Sequence, residues 1–249
     1  MKRRNSKWSH VAVLTAGLWS LGTGIVAAQE QPKPDNEVSY NVGVTTDYRY
    51  RGLSQSRLDP ALQGGADYTN NPTGLYAGTW LSTIKWIKDA GGDSNVEWDI
   101  YGGKRGNITS DITYDVGGLY YLYAGNGLPT NANTFEVYGQ LGYGPAYVKY
   151  SHSLTNLFGT PDSKGSGYLD IGANIDAGNG FTVNLHAGRQ NVKHNGMFSY
   201  NDYKLGVTKD LGFASVALAL IKADTTAYTT PNGKNTGKSG LVLSATKTF

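Results

Sequence analysis

The 249-residue chain contains no cysteine and only two methionines. Without cysteine there is no disulfide, no thiolate nucleophile and no zinc–thiolate site. Long apolar runs are also lacking, because no window after residue 28 approaches the roughly 20 consecutive apolar residues that a membrane-spanning helix needs. These absences exclude a helical membrane protein and any chemistry that depends on cysteine.

An excess of charge of one sign is lacking once the N-terminal segment is set aside. The chain has 22 basic and 19 acidic residues, and all four charges within residues 1–28 are basic. Removing that segment leaves 18 basic residues against 19 acidic ones, and a net charge of −1. A nucleic-acid-binding surface needs clustered positive charge. We therefore expect no nucleic-acid partner.

Residues 1–28 are typical of a secretory signal peptide. A basic start precedes an interrupted apolar stretch, and small residues suit cleavage before Gln29. A retained membrane anchor is the alternative, but it would need a longer apolar run. We predict that residues 1–28 are removed on export and that residues 29–37 form a periplasmic lead.

Glycine and tyrosine are abundant, with 34 and 18 copies. Glycine disfavours helices, and tyrosine suits strands that end at a membrane–water interface. From Val38 onward apolar and polar residues alternate, and the polar face ends in Asp47, Arg49 and Arg51. A strand of a soluble sandwich also alternates but rarely carries so charged a face. The alternation therefore predicts barrel strands that are apolar towards lipid and polar towards a lumen.

The spacing of the strand-like segments gives a second, independent signal. The segments are 38–51, 61–69, 74–86, 95–105, 111–123, 134–143, 146–153, 167–175, 181–189, 202–209, 213–221 and 239–249. Long connections of about 8 to 17 residues alternate with short ones of about 2 to 5, as external loops alternate with periplasmic turns in outer-membrane barrels. An even number of strands then places both chain ends in the periplasm.

These patterns together predict an all-β fold. We expect an antiparallel up-and-down transmembrane β-barrel of about 12 strands over residues 38–249, in the outer membrane of a Gram-negative bacterium. The register of segments 74–86 and 213–221 stays open, because the first mixes apolar residues on both faces and the second is apolar throughout.

Aromatic residues near the predicted strand ends suit an interfacial girdle. The girdle candidates are Tyr48, Tyr50, Trp80, Trp98, Tyr120 and Phe249. Phe249 also closes an amphipathic strand, which resembles the recognition signal of barrels folded by the outer-membrane assembly machinery; a chance C-terminal phenylalanine is the alternative. We expect two partners, outer-membrane lipid and, through the strand ending at Phe249, that machinery.

A set of charged residues of both signs falls on the predicted lumen face. Its members are Asp47, Arg49, Arg51, Asp67, Glu97, Asp99, Arg105, Asp115, Glu136 and Lys149. Such residues either pair across strands or line a water-filled path for small polar solutes. Arg49 and Arg51 would favour anions, because an arginine fork binds carboxylate or phosphate, whereas the neighbouring Asp47 would cancel that preference.

Catalytic patterns are weak in this chain. After residue 28 only His152, His186 and His194 remain, and none has an identifiable nucleophile or metal partner in the sequence. Neither the GxSxG nor the HExxH pattern is present. We predict that the protein is not an enzyme and uses neither a cofactor nor a metal.

From Val38 to Tyr123 the chain resembles the Gcw_chp family of proteobacterial outer-membrane proteins, also described as TorF-type porin-like proteins. The matching stretches are NVGVTTDYRYRGLSQS, DPALQGGADY, GLYAGTWLST, WDIYGG and YDVGGLYYLYAG. The resemblance implies an outer-membrane β-barrel and carries over no catalytic or ligand-binding residue. We expect a passive channel for small hydrophilic solutes; the alternative is a non-conducting barrel that binds a surface partner or stiffens the envelope.

Overall fold

The computed structural model of the protein describes residues 34–249, so the predicted signal peptide lies outside the described residues. The strands are β1 Asn36–Thr45, β2 Arg49–Tyr50, β3 Leu53–Ser54, β4 Ala61–Asn70, β5 Leu75–Thr83, β6 Val96–Asn107, β7 Ile112–Leu122, β8 Thr134–Tyr143, β9 Ala146–Ser153, β10 Gly167–Gly178, β11 Phe181–Asn191, β12 Tyr200–Asp210, β13 Ser215–Ala223 and β14 Gly240–Thr248. A one-turn helix α1, Trp86–Asp89, and a 3-10 turn, Gly196–Phe198, lie in connections.

Twelve of these strands, β1 and β4 to β14, form one closed antiparallel barrel. Each strand pairs with its neighbours in the chain, and β14 closes the ring by pairing with β1, where Val44 lies opposite Ala245. Closure leaves no strand edge unpaired, which a barrel in lipid requires. The prediction of a twelve-stranded up-and-down β-barrel is confirmed, and β1 begins at Asn36 rather than Val38.

The strands form because apolar and polar residues alternate along them. In β1, Val42 and Val44 are exposed on the outside of the barrel, whereas Gly43 and Thr45 are buried inside. The exterior of the barrel is consequently an apolar surface, which suits hydrocarbon and would be costly in water. No helix among residues 34–249 is long and apolar enough to cross a membrane.

The structure settles the two registers that the sequence leaves open. In β5, Leu75 and Leu81 face outwards and Trp80 faces the interior. In β13, the leucines face outwards, while Ala219 and Ile221 pack inside. The inner face of β13 is apolar where Ala219 and Ile221 pack with Val242 of the neighbouring strand β14.

The connections lie at the two ends of the barrel, and they are short at one end and long at the other. At one end are the short turns 71–74, 108–111, 144–145, 179–180 and 211–214; at the other are 46–60, 84–95, 123–133, 154–166, 192–199 and 224–239. The tightest turns use residues suited to positive φ, such as Asn179 at 53° and Gly180 at 74°. Strand β1 starts and β14 ends at the short-turn end, as predicted for an even strand count.

Tyrosine rings inside the barrel lie against glycines of a neighbouring strand. A Cβ atom at Gly117 would come within 2.6 Å of the Tyr138 hydroxyl oxygen, and one at Gly172 within 2.5 Å of the Tyr147 ring. Glycine makes room for the ring, and the ring covers backbone that glycine would leave bare. The abundance of both residue types therefore reflects their use in pairs.

Candidate functional site in the barrel interior

The first long connection, residues 46–60, folds into the barrel instead of covering its end; we call it the inner segment. It contains the small hairpin of β2 and β3, in which Arg49 pairs with Ser54. Gly52, with φ of 79°, makes the turn, and a Cβ there would lie 3.1 Å from that of Ala223 on the wall. A glycine is required because the turn needs positive φ and sits directly against β13.

Two of the girdle predictions are wrong, because the residues belong to the inner segment. Tyr48 is only 5% exposed and Tyr50 packs against the interior aromatic cluster, so both lie inside the barrel and not at a lipid interface. The reason is that β1 ends at Thr45, after which the chain leaves the wall. The polar and apolar residues continue to alternate, but no longer as two faces of a wall strand.

Asp47 and Arg49 organise the inner segment from within. Asp47 accepts hydrogen bonds from Arg49 Nε and from Ser54 Oγ, each at 2.5 Å. Arg49 Nη1 donates to the carbonyl oxygens of Thr236 at 3.1 Å and Lys238 at 2.9 Å, next to the start of β14. Both predicted lumen residues are inside the barrel, but their hydrogen-bonding groups are largely taken up by the protein.

Arg51 reaches across the interior. Its guanidinium donates to both carboxylate oxygens of Glu136 on β8, at 3.1 and 2.7 Å, and to Gln190 Oε1 on β11 at 2.7 Å. It also lies over the Tyr168 ring, 4.2 Å from the ring centre. Strands β8 and β11 are each at least four strands away from β1 and β4 around the ring. The inner segment is therefore fastened to the far wall.

An aromatic cluster fills the interior beside the inner segment and extends from the long-connection end to Tyr76, next to the short turn 71–74. Its buried members are Tyr48, Trp80, Ile84, Ile87, Tyr101, Leu119, Tyr121, Tyr123 and Tyr138, with Ala61, Tyr76 and Ala132. Glu97 lies within it and accepts hydrogen bonds from Tyr48 at 2.5 Å and Tyr123 at 2.6 Å. The cluster narrows the lumen, and two phenol donors hold Glu97 within the cluster.

The girdle prediction is also wrong for Trp80, which is 4% exposed and packs edge-on against Tyr48 inside the barrel. Its side chain points inwards because Leu81, next to it, takes the lipid-facing position of β5. Trp98 is 41% exposed on the outer surface, and Tyr120, opposite Ile100, shares that face. The Phe249 ring is exposed at the short-turn end, where its backbone pairs with Tyr40.

The remaining predicted lumen residues lie on the inner wall, mostly with phenol or aromatic partners. Asp67 accepts from Tyr101 and Asp115 from Tyr76, both at 2.6 Å. Arg105 donates to Thr69 at 3.0 Å and lies over the Tyr76 ring, and Lys149 Nζ is 4.0 Å from the centre of the Tyr138 ring. Asp99 is buried, and its Oδ1 has no hydrogen-bond partner among residues 34–249.

One interior constellation was missed by sequence reasoning. His186 Nδ1 lies 2.8 Å from Asp170 and its Nε2 2.7 Å from Asp202, which also accepts from the Tyr168 hydroxyl at 2.9 Å. These residues come from three adjacent strands, so only the strand register brings them together. Within the part of the chain that the structure describes, no three acidic or histidine side chains are arranged to hold a metal ion.

Ion pairs also fasten the outer part of the inner segment to the connection 84–95. Lys85 Nζ lies 2.6 Å from Asp59 Oδ2, and Arg57 binds Asp89. The hydrogen bond from Lys85 lowers the pKa of the Asp59 carboxyl from its usual value. These groups are partly or fully exposed, so we expect them to contribute little to stability compared with the buried contacts of Arg51.

The fold defines a closed, up-and-down transmembrane β-barrel. Its likeness to solved structures supports this class: a KdgM porin in complex with disordered oligogalacturonate has a TM-score of 0.55 and 6% identity, over 85% of this chain and 98% of that one. A NanC porin has a TM-score of 0.52 and 10% identity over the same shares. At such identity the likeness concerns the fold alone.

The family is defined by sequence. The family model described as "Bacterial protein of unknown function (Gcw_chp)" matches residues 29–249, which is all of the given chain after the predicted signal peptide. The protein belongs to the Gcw_chp family. A comparison with curated proteins found no match.

Proposed function

We propose that the protein is an outer-membrane channel of a Gram-negative bacterium, through which small hydrophilic solutes diffuse passively past the inner segment. The observation that carries this proposal is the ion pair between Arg51 and Glu136, which spans the interior of a barrel whose wall carries charges of both signs. Opposed charges along a narrow, water-filled path favour small polar solutes. Two porins with the same barrel fold support the proposal by analogy.

The exterior supports the proposed location. The outward residues of β1, β10 and β12 include Val44, Ile171 and Leu205, each more than half exposed. An apolar outer surface of this kind is stable in contact with lipid, and long connections at one end suit the cell exterior. On this proposal the strand ending at Phe249 faces the periplasm, where the assembly machinery would recognise it.

The alternative function is a non-conducting barrel that stiffens the envelope or binds a surface partner through its long connections. The aromatic cluster and the inner segment favour it, because together they occupy the lumen at the long-connection end. The connection 224–239 is also ordered by its own contacts, with Thr229 bridged to Asn235. Both functions use the same fold and differ in whether water and ions pass.

Conductance of the refolded mature protein in a planar bilayer at high salt separates the two functions. We expect discrete conductance steps from the unaltered protein. Absence of conductance steps from the unaltered protein would overturn the channel proposal. A second protein, with residues 48–57 replaced by a glycine–serine linker, identifies the cause: if only this protein conducts, the inner segment is a permanent plug. Shortening the connection 224–239 provides the control for general damage to loops.

A further inference from the structure

A hollow of about 360 Å³ lies on the outer surface of the wall, where β9, β10 and β11 meet the long-connection end. Its lining includes Tyr150, Leu169, Arg189, Asn191 and Lys193. The register places Tyr150, Leu169 and Arg189 in one row across three strands. Tyr150 and Leu169 are exposed on the lipid-facing side, so this row belongs to the exterior and not to the lumen.

Two glycines shape the hollow. A Cβ at Gly167 would collide with the Tyr150 hydroxyl, so the phenol lies across the space that glycine leaves. A Cβ at Gly165, where φ is 86°, would meet Lys193 Cδ and Nζ at 3.3 Å. Without side chains at these two positions, the phenol and the ammonium group can both approach the wall closely.

The rim of the hollow is held in place by contacts between two connections. The Lys193 backbone N–H donates to Ser166 Oγ at 3.0 Å, and Asn195 Nδ2 donates to the Pro161 carbonyl at 2.9 Å. Arg189 Nη1 donates to Asn201 Oδ1 at 3.3 Å. These contacts hold the backbone at Lys193 and one end of the Arg189 side chain, so Arg189 loses less side-chain freedom when it binds a ligand.

Two cations, Arg189 and Lys193, line the hollow, and Asp162, next to Pro161 on its rim, lies 3.0 Å from His194 Nδ1. Asp224 interacts electrostatically with Arg189, and its carboxylate already accepts the Asn201 backbone N–H at 2.6 Å and side-chain amide at 2.7 Å. Those hydrogen bonds hold the pKa of Asp224 below its usual value, even though burial acts to raise it. Arg189 therefore retains donors for a further anion.

The surface below the hollow is apolar. Towards the short-turn end, the outer faces of the same strands present Val148, Ile171 and Leu185, all exposed. A ligand with an anionic head and hydrocarbon tails would place its head on the two cations and its tails on these side chains. If the long connections are external, this level is the headgroup region of the outer leaflet, which in Gram-negative bacteria is built from phosphorylated glycolipid.

We propose that the hollow between Tyr150, Arg189 and Lys193 binds the phosphorylated sugar headgroup of an outer-leaflet glycolipid. The arginine fork suits two phosphate oxygens, and the lysine supplies a second positive charge. The site is separate from the lumen, so it does not depend on whether the barrel conducts. It does depend on the outward orientation of the long connections.

Native mass spectrometry of the mature barrel in detergent tests the proposal, with diphosphorylated lipid A as the probe. We expect binding of one lipid, at least tenfold weaker for Arg189→Gln with Lys193→Gln. The charge-matched control is Lys222→Gln with Lys234→Gln, both exposed and outside the hollow, for which we expect affinity within twofold of the unaltered protein. Heat-dependent migration on gels verifies that each variant is folded.

Two further probes identify the recognised group. Lipid A without its phosphates should bind at least tenfold more weakly to the unaltered barrel. Inorganic phosphate should compete poorly, because it lacks the acyl chains. Equal binding of the phosphorylated and dephosphorylated lipids, equal loss in the control pair, or full displacement by free phosphate would each overturn the assignment to a phosphorylated lipid.

Discussion

Arg51 Nη2 lies 2.7 Å from Glu136 Oε2, and this ion pair joins the first long connection to the far wall of the barrel. Both side chains are nearly inaccessible, at 7% and 3% exposure. Removing one partner of a buried pair leaves the other charge uncompensated, at a cost of about 3–5 kcal/mol. This pair is therefore the contact on which the position of the inner segment most depends.

Arg51→Gln should increase single-channel conductance. The substitution leaves the buried Glu136 without its cationic partner, so the inner segment is expected to detach from the far wall and widen the path. Planar-bilayer recording measures the step size. Arg57→Gln is the control, because Arg57 binds Asp89 at the accessible outer rim and its side chain is 37% exposed. A step size that is unchanged in both variants would contradict the role given to Arg51.

Arg49→Ala with Arg51→Ala should shift selectivity towards cations. The variant removes two interior positive charges and leaves Asp47 and Glu136 in place, so the local potential becomes more negative. The reversal potential across a salt gradient reports the permeability ratio. Arg57→Ala with Lys85→Ala makes the same change of charge at the rim and should leave the ratio nearly constant. If both double variants behave alike, the interior arginines do not set selectivity.

Trp80 and Trp98 should respond oppositely to a quencher carried by lipid. Trp80 is 4% exposed and faces the interior, whereas Trp98 is 41% exposed on the outer wall. Proteins that retain one of the two, with the other and Trp86 changed to phenylalanine, can be refolded into vesicles of brominated phospholipid. We expect strong fluorescence quenching for Trp98 and little for Trp80. Strong quenching of Trp80 would mean that the orientation of β5 is reversed.

Gly117→Ala should destabilise the barrel by about 1–3 kcal/mol, the usual cost of overpacking. The new methyl group would meet the Tyr138 hydroxyl and the Gly102 carbonyl oxygen, both at 2.6 Å. Gly139→Ala is the matched control on the neighbouring strand, since its nearest neighbour there would be Val116 Cγ1 at 3.9 Å. Urea unfolding in vesicles measures the difference. Equal stability of the two variants would show that the tyrosine moves aside without cost.

The period-two pattern predicted the wall because it depends only on local geometry and on having lipid on one side. It located Glu97, Asp115 and Lys149 on the inner face without any knowledge of the partners. It did not reveal where the chain leaves the wall, since residues 46–51 continue to alternate after β1 has ended. Tyr48 and Tyr50 were consequently assigned to lipid.

Other errors came from information that a single strand does not contain. Trp80 was assigned to the girdle by residue type, although Leu81 competes for the outward position of the same strand. The neighbours of His186 were not predictable either, because Asp170 and Asp202 reach it only through the pairing of β10, β11 and β12. Such constellations depend on register across strands.

The contacts of Arg49 connect the inner segment with the place where the barrel closes. This side chain binds Asp47, just after β1, and the carbonyl oxygens of Thr236 and Lys238, just before β14. Strands β1 and β14 form the seam at which the chain's two ends meet and the cylinder closes. Arg49 therefore bridges the two sides of this seam from inside the barrel. Because Arg51 binds β8 and β11, the same segment joins the seam to the opposite wall through two arginines two residues apart.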